Sequence, residues 1–226
     1  MTELDDVDFA IPAPPPLGGE LERELRALAP VTTRRPLRQL GILVGISLVY
    51  GAGILAVIRT RRDLDELPPA WLVGAACAWL LGFALPLALA VVPRRGSVLP
   101  RWQLGAVAAA VGSVGFIALG LLVHPSGPSS LDYGTADFLR GHTCLEAGLA
   151  TALVPVVAGA LFLRGALPVG ARWTAASLGA GGGALGGLVL HLHCRIADML
   201  HVGLIHGGVV LVAALLAAAL VPRATR

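Results

Sequence analysis

The sequence predicts an all-α membrane protein with six transmembrane helices. Of its 226 residues, 56% are hydrophobic and only 14% are charged, and the mean hydropathy is +0.78. A soluble domain of this length cannot bury so much apolar surface, so the composition indicates an integral membrane protein. Six apolar runs are each long enough to cross a bilayer, and helices are the expected form because lipid offers no partner for backbone polar groups.

The six spans are separated by short polar segments that contain arginine, proline and glycine. They cover residues 37–58, 70–92, 102–123, 145–163, 173–191 and 200–221. In the fifth span, Gly179, Gly183 and Gly187 recur at four-residue spacing, with Gly182 and Gly186 beside them. Small residues in such a row allow a neighbouring helix to approach closely, although a glycine-rich composition would also scatter such pairs freely.

The arginines predict the orientation of the spans. All 17 basic residues are arginine, and placing the amino terminus in the cytoplasm puts twelve of them inside and five outside, as the positive-inside rule requires. Both termini are therefore expected to be cytoplasmic. The predicted organisation is a cytoplasmic lead over residues 1–36, disordered for about the first twenty residues, a transmembrane domain over residues 37–221 and a cytoplasmic tail over residues 222–226. The net charge of +3, without a long basic tract, predicts no direct binding of nucleic acid.

The cytoplasmic lead contains one segment with helical periodicity, residues 18–40, which read GGELERELRALAPVTTRRPLRQL. Its leucines lie at helical spacing with charged residues between them, which predicts a short amphipathic helix. The residues expected to make contacts are Leu21, Leu25, Leu28, Arg34, Arg35 and Arg38. Two roles are open: the helix binds in a groove of a cytoplasmic partner, or it rests on lipid headgroups to which the arginines anchor it.

All six histidines fall at or near the outer face in this topology, together with two cysteines. They are His124, His142, His191, His193, His201 and His206, beside Cys144 and Cys194. Imidazole nitrogen and thiolate sulfur suit zinc or another transition metal ion. The expected ligand set is His142, Cys144, His193 and Cys194, and the other candidate ligands are His191, His201 and His206.

Two alternatives to a metal site remain open on the residues alone. Cys144 and Cys194 lie at the outer ends of consecutive antiparallel spans, so they are expected to be neighbours that could form a disulfide in an oxidising compartment. The histidines could otherwise be interfacial residues without a ligand. His206 and Glu146 lie deeper within their spans, where an ionisable group usually faces the bundle interior and has a partner, and a pair between Glu146 and a histidine is expected.

Part of the chain resembles the NrsF-type family of six-helix bacterial anti-sigma factors. The similarity lies in a Cys-Leu pair at Cys144, Pro155 inside the fourth span, an Arg-Gly turn at Arg164, and Leu-His-Cys ending at Cys194. It covers about the last 85 residues, and the first three spans match in layout. In this sequence Arg195 stands where the family usually has proline.

The resemblance implies a non-enzymatic signalling protein of the bacterial inner membrane. It implies that the cytoplasmic segment holds an extracytoplasmic-function sigma factor, and that Cys144 and Cys194 sense a metal or oxidative stress. Two other functions would use the same residues. A metal or proton transporter would use a path formed by His191, His193, Cys194, His206 and Glu146. A membrane thiol or haem redox protein would use the cysteines or a histidine pair.

Overall fold

A computed structural model of the chain describes residues 35–93, 99–132, 141–164 and 170–224, together with Gly18, Gly19, Arg23, Glu24 and Ala27. The described residues from 35 onward are mainly helical and include no strand. They contain an isolated β-bridge between Leu131 and Ile196. The helices are α1 (Pro36–Ile58), α2 (Pro69–Val91), α3 (Arg101–Leu122), α4 (His142–Leu163), α5 (Ala171–His193) and α6 (Gly208–Ala224). A π-helical segment, His201–Gly207, leads directly into α6, and a single 3₁₀ turn, Leu64–Glu66, lies between α1 and α2.

The prediction of six spans is confirmed, because each of six helical stretches is long and apolar enough to cross a membrane. Helix α4 begins at His142, three residues before the predicted start, and α5 continues to His193, two residues past the predicted end. Proline at the first position starts both α1 and α2, where its missing N–H has no helical acceptor to lose. The cytoplasmic placement of both termini stays a prediction.

Helix α5 occupies the centre of the bundle. In its most apolar 18-residue stretch 89% of the residues are buried, whereas the share is 17% in α1. This helix carries the predicted glycine row, and the close approaches are observed. A Cβ atom on Gly183 would lie 2.6 Å from Val210 Cα on α6, and a Cβ atom on Gly186 would overlap the carbonyl oxygen of Gly148 on α4. Different faces of α5 therefore hold different neighbours at backbone contact distance.

Two loops and the segment between α5 and the π-helix cover one end of the bundle. We call this the cysteine end: α1, α3 and α5 finish there, and α2, α4 and the last span begin there. The backbone N–H of Arg61 donates to the carbonyl of Leu192 at 2.9 Å, and that of Leu131 donates to the carbonyl of Arg195 at 2.8 Å. These bonds tie both loops to the end of α5.

A buried ion pair holds the first of these loops. Arg61 donates two hydrogen bonds of 2.7 Å to the carboxylate of Asp63, and Ser130 from the second loop donates a third of 2.7 Å. The Arg61 hydrogen bonds hold the pKa of Asp63 at about 2, although burial of this fully covered carboxylate opposes the shift.

Lowering the pH is expected to weaken the cysteine end through Asp63. The pKa of Asp63 lies below its value in the unfolded chain, so its contribution is present above about pH 4 and is lost as the pH falls toward about 2. The shift corresponds to about 2 kcal/mol. The measurement is the free energy of unfolding of the detergent-solubilised protein between pH 6 and pH 2.5.

The variant Asp63→Asn is expected to lose this part of the pH dependence. It also leaves Arg61 buried without its partner charge, which costs about 3–5 kcal/mol at neutral pH. Asp65→Asn is the matched control, because Asp65 is exposed in the same loop. Equal pH profiles for the wild type and Asp63→Asn would contradict this role of the ion pair.

Candidate functional site

The two cysteines predicted to be neighbours lie side by side at the cysteine end. Cys144 is the third residue of α4, and Cys194 directly follows α5. Their Sγ atoms are 3.6 Å apart, the Cys144 thiol donates to Cys194, and both residues are free thiols that are buried from solvent. The fold therefore places two cysteine side chains together between α4 and the end of α5.

Two histidines complete a cluster around these thiols. His201 Nε2 lies 3.4 Å from Cys194 Sγ, and the rings of His201 and His206 are 4.9 Å apart, edge to face. One ligand atom from each of Cys144, Cys194, His201 and His206 lies within 4.8 Å of the other three, and all four residues are buried. We call these four residues the Cys2His2 cluster.

The π-helical segment explains why both histidines face the cysteines. In an α-helix, residues five positions apart lie about 140° from each other around the axis. A π-helix bonds residue i to residue i+5, which stacks His201 and His206 on one side. The seven-residue segment His201–Gly207 has this geometry. The wider turn therefore gathers two imidazoles that a regular helix would separate.

Glycines provide the space that the cluster and the wide turn need. A Cβ atom on Gly141 would overlap the imidazole of His201, so only glycine leaves room for that ring. A Cβ atom on Gly120 of α3 would lie 2.7 Å from Gly203 Cα, and one on Gly207 would lie 2.7 Å from the backbone nitrogen of Ile117. Small residues thus let α3 pack directly against the π-helical backbone.

The surroundings of Cys194 favour its thiolate. The hydrogen bond from Cys144, followed by the contact with His201, holds the pKa of the Cys194 thiol well below its ordinary value, although burial opposes the shift. A thiolate is both the metal-binding and the nucleophilic form of cysteine. The described part of the chain offers no hydrogen-bond partner to His201 Nδ1 or His206 Nε2, although both atoms are buried.

The structure places outside the cluster the two histidines that the sequence favours as ligands beside the cysteines. His142 is exposed because it lies two positions before Cys144, on the opposite side of α4. His193 Nδ1 donates to the carbonyl of Arg59 at 2.7 Å, since α5 ends there and Cys194 continues in an extended conformation. Arg59 has a positive φ of 70°, an uncommon conformation for a residue with a side chain.

The other predicted polar residues take different positions. His191 is buried against Trp71, with ring centroids 4.6 Å apart, and its Nε2 has no hydrogen-bond partner in the described residues. Glu146 is exposed, because it follows Cys144 by two positions and so points away from the cluster, and its expected pair with a histidine stays a prediction. Arg35 and Arg38 are exposed at the start of α1.

The remaining predicted contact residues, Leu21, Leu25, Leu28 and Arg34, lie outside the described residues, as do most of the first twenty positions.

Two cavities border residues of the cluster. One has a volume of about 460 Å³ and contains Cys144 and Cys194 in its wall. Its arginines are Arg59, Arg61, Arg62 and Arg195. The other has a volume of about 390 Å³ and is lined by apolar side chains together with His191 and His206. The buried thiols are therefore reached through a cationic opening, and the histidines border an apolar one.

The sequence pattern indicates His201 and His206 as candidate ligands but favours His142 and His193 over them. The signal that could have selected them is their spacing of five within HVGLIHGG, where three glycines surround the second histidine. A spacing of five residues does not match the repeat of an α-helix, so this spacing does not by itself predict that His201 and His206 share a face. They share one because the turn between them is π-helical.

Comparison with known families identifies a family that matches most of the chain. A family model described as NrsF, negative regulator of sigma F, matches residues 25–226. The match includes every transmembrane helix and all four residues of the Cys2His2 cluster. No curated protein and no solved structure matches the chain.

Proposed function

Since the chain belongs to the NrsF family of negative regulators of sigma F, we propose that it is an anti-sigma factor of the bacterial inner membrane. In this proposal, residues 18–40 hold an extracytoplasmic-function sigma factor at the membrane. A metal ion or an oxidant reaches the Cys2His2 cluster, the packing of the helices changes, and the sigma factor is released.

The family match is the observation that carries this proposal. It begins at residue 25 and runs to the end of the chain, so it covers the later part of the amphipathic segment as well as the whole bundle. The chemistry of the cluster supports a sensing role, because soft metals and oxidants both react with cysteine in its thiolate form. Cys144 and Cys194 lie in the wall of a cavity large enough to admit a small ligand.

The bundle offers a physical connection from the cluster to the start of α1. Helix α4 carries Cys144 and contacts α5 at backbone distance through Gly148. It also contacts α1, where the hydroxyl of Tyr50 donates to the carbonyl of Ala150 at 3.2 Å. A shift of α4 at its first turn would therefore be passed to α1, whose 23 residues span about 35 Å.

Such a shift regulates the sigma factor only if the signal favours one arrangement of the bundle over the other. Binding that is equally tight in both arrangements would leave the amount of held sigma factor unchanged. The position of the cluster suits this requirement, because its four residues come from α4, the end of α5 and the start of the last span.

The experiment that tests sigma factor binding is membrane recruitment in cells. The full chain is coexpressed with the extracytoplasmic-function sigma factor encoded nearest to it in its genome, and the sigma factor is measured in the sedimented membrane fraction. Recruitment is expected with the wild type. It is expected to fall at least about tenfold when Leu21, Leu25 and Leu28 are all replaced by glutamate, because the apolar face that would enter a groove is removed.

Leu4→Glu is the control for a leucine-to-glutamate change in the lead, since it adds one of these charges outside residues 18–40 and is expected to leave recruitment unchanged. A sigma factor that stays soluble beside the wild-type protein would contradict the proposal. So would full recruitment by the triple variant.

A further inference from the structure

We propose that Cys144, Cys194, His201 and His206 bind one tetrahedrally coordinated ion of the zinc class, Zn²⁺ or its thiophilic analogue Cd²⁺. The ion would link α4, the end of α5 and the start of the last span. Metal binding stands on the geometry of the cluster alone, whereas its effect on the sigma factor rests on the proposed function.

The distances in the cluster match a tetrahedral zinc site. Bond lengths of about 2.3 Å to sulfur and about 2.0–2.1 Å to nitrogen, set at the tetrahedral angle, separate two sulfurs by about 3.8 Å and a sulfur from a nitrogen by about 3.6 Å. The observed separations are 3.6 Å for Cys144 Sγ to Cys194 Sγ and 3.4 Å for Cys194 Sγ to His201 Nε2. Cys144 Sγ, Cys194 Sγ and His201 Nε2 therefore meet at Cys194 with nearly the spacing that coordination requires, and a ligand atom of His206 lies within 4.8 Å of the other three ligand atoms.

The donor types select the class of metal. The cluster offers two sulfur and two nitrogen ligands and no carboxylate. Calcium and magnesium require oxygen ligands, while thiolate with imidazole suits zinc and related ions. Four protein ligands leave no open position, which is the arrangement of a structural or regulatory zinc site and differs from a catalytic one.

Burial gives a second argument for a ligand at this place. The exposed fractions of the four residues are 8% for Cys144, 5% for Cys194, 0% for His201 and 5% for His206. A polar side chain buried without a partner costs free energy, and His206 Nε2 has no hydrogen-bond partner within the described parts of the chain. A coordinated ion would give the buried thiols and imidazoles a common partner.

The π-helical turn is a third and independent argument. Wide turns of this kind are rare and often mark functional sites. Here the turn has a specific result, since it brings His201 and His206 to the same side of the chain, facing the cysteines. Gly203 and Gly207 accommodate the turn against α3, and Gly141 leaves space for the ring of His201. Local backbone, packing and ligand geometry thus agree on one site.

Metal binding is tested on the full chain purified in detergent with a thiol reductant. Zinc per chain is measured by elemental analysis, and affinity is measured by competition with a chelator of known strength. Co²⁺ serves as a spectroscopic probe, because tetrahedral thiolate coordination gives intense visible bands and a near-ultraviolet charge-transfer band. We expect about one zinc ion per chain.

The variants separate a ligand role from a structural one. Cys194→Ser and His206→Gln are each expected to weaken zinc binding by at least about tenfold, as even indirect partners of a metal contribute that much. His193→Gln is the matched control, since His193 lies beside Cys194 but bonds to Arg59. The zinc affinity of this variant is expected to stay within about twofold of that of the wild type.

A rescue variant keeps the test decisive if a ligand-removing variant fails to fold. His206→Cys retains four donors, so it is expected to bind one ion and to increase the thiolate-to-cobalt charge-transfer band. The proposal is overturned if the wild type neither carries nor takes up zinc. It is also overturned if His206→Gln binds like the wild type, or if Cys144 and Cys194 are found as a disulfide after purification without oxidant.

Failure of the metal site and failure of the anti-sigma proposal give different results. Loss of zinc binding with intact membrane recruitment of the sigma factor would remove the metal site alone. One zinc ion per chain without recruitment would keep the site and remove the anti-sigma function.

Discussion

Replacing Gly186 by alanine is expected to lower the free energy of unfolding by about 1–3 kcal/mol, the usual cost of overpacking a close contact. The added Cβ atom would overlap the carbonyl oxygen of Gly148, which is backbone and cannot rotate away. Helix α4 must then move away from α5. Gly148 lies one helical turn from Cys144, so the same movement is expected to separate Cys144 from Cys194.

Two measurements check these effects on the detergent-solubilised protein. Unfolding by titration with sodium dodecyl sulfate gives the change in free energy, and the rate of reaction with a thiol reagent reports the exposure of Cys144 and Cys194. Cys77 lies within the span α2, so both proteins are compared with Cys77 replaced by serine, which leaves Cys144 and Cys194 as their only thiols.

Gly53→Ala is the matched control for this prediction. Gly53 lies within α1, is exposed, and has no atom within 4 Å of an added Cβ atom. Alanine there is expected to leave stability unchanged or to raise it by up to about 1 kcal/mol, because alanine is the better helix former. Equal stability of Gly186→Ala and Gly53→Ala would show that α4 and α5 do not meet at backbone contact distance.

Replacing Cys194 by serine is expected to make the protein insensitive to its signal while the sigma factor stays held. The substitution removes the thiolate that a metal or an oxidant would engage, and it leaves the amphipathic segment unchanged. Transcription from a promoter that depends on the sigma factor is the measurement. Induction by Zn²⁺, by Cd²⁺ or by a thiol oxidant is expected to fall to about the uninduced level, because a signal without differential binding shifts no equilibrium.

Cys77→Ser is the control for this prediction, since Cys77 is exposed on α2 and lies outside the cluster. It is expected to respond like the wild type. Constitutive transcription in Cys194→Ser would indicate that an occupied cluster holds the sigma factor, which is the opposite of the proposed direction. Undiminished induction would show that the cysteines do not sense the signal.

The sequence predicts the positions of the helices along most of the chain. It predicts less well which side chains form the Cys2His2 cluster. Spans are identified by length and apolarity, which are local properties, and the six helices were predicted with ends displaced by at most a few residues. The neighbouring positions of Cys144 and Cys194 also follow from local information, because consecutive antiparallel helices place their adjoining ends together.

The histidine ligands were not predictable in the same way. Adjacency in sequence favoured His142 and His193, but a residue two positions away on a helix faces the other side, and the end of α5 sends His193 toward Arg59. His201 and His206 share a face only because the turn between them is wide. That turn depends on its packing against α3 at Gly120, which is a contact between distant parts of the chain.

The sequence by itself determined that the chain is a six-helix membrane protein with two cysteines close together at one end of the bundle, because apolar length and helix order decide those features. Tertiary structure alone decided which residues surround the cysteines. The choice depends on backbone contacts of about 3 Å between glycines and neighbouring helices, and on a local helical repeat that side-chain periodicity does not reveal. A buried Cys2His2 cluster results from that packing.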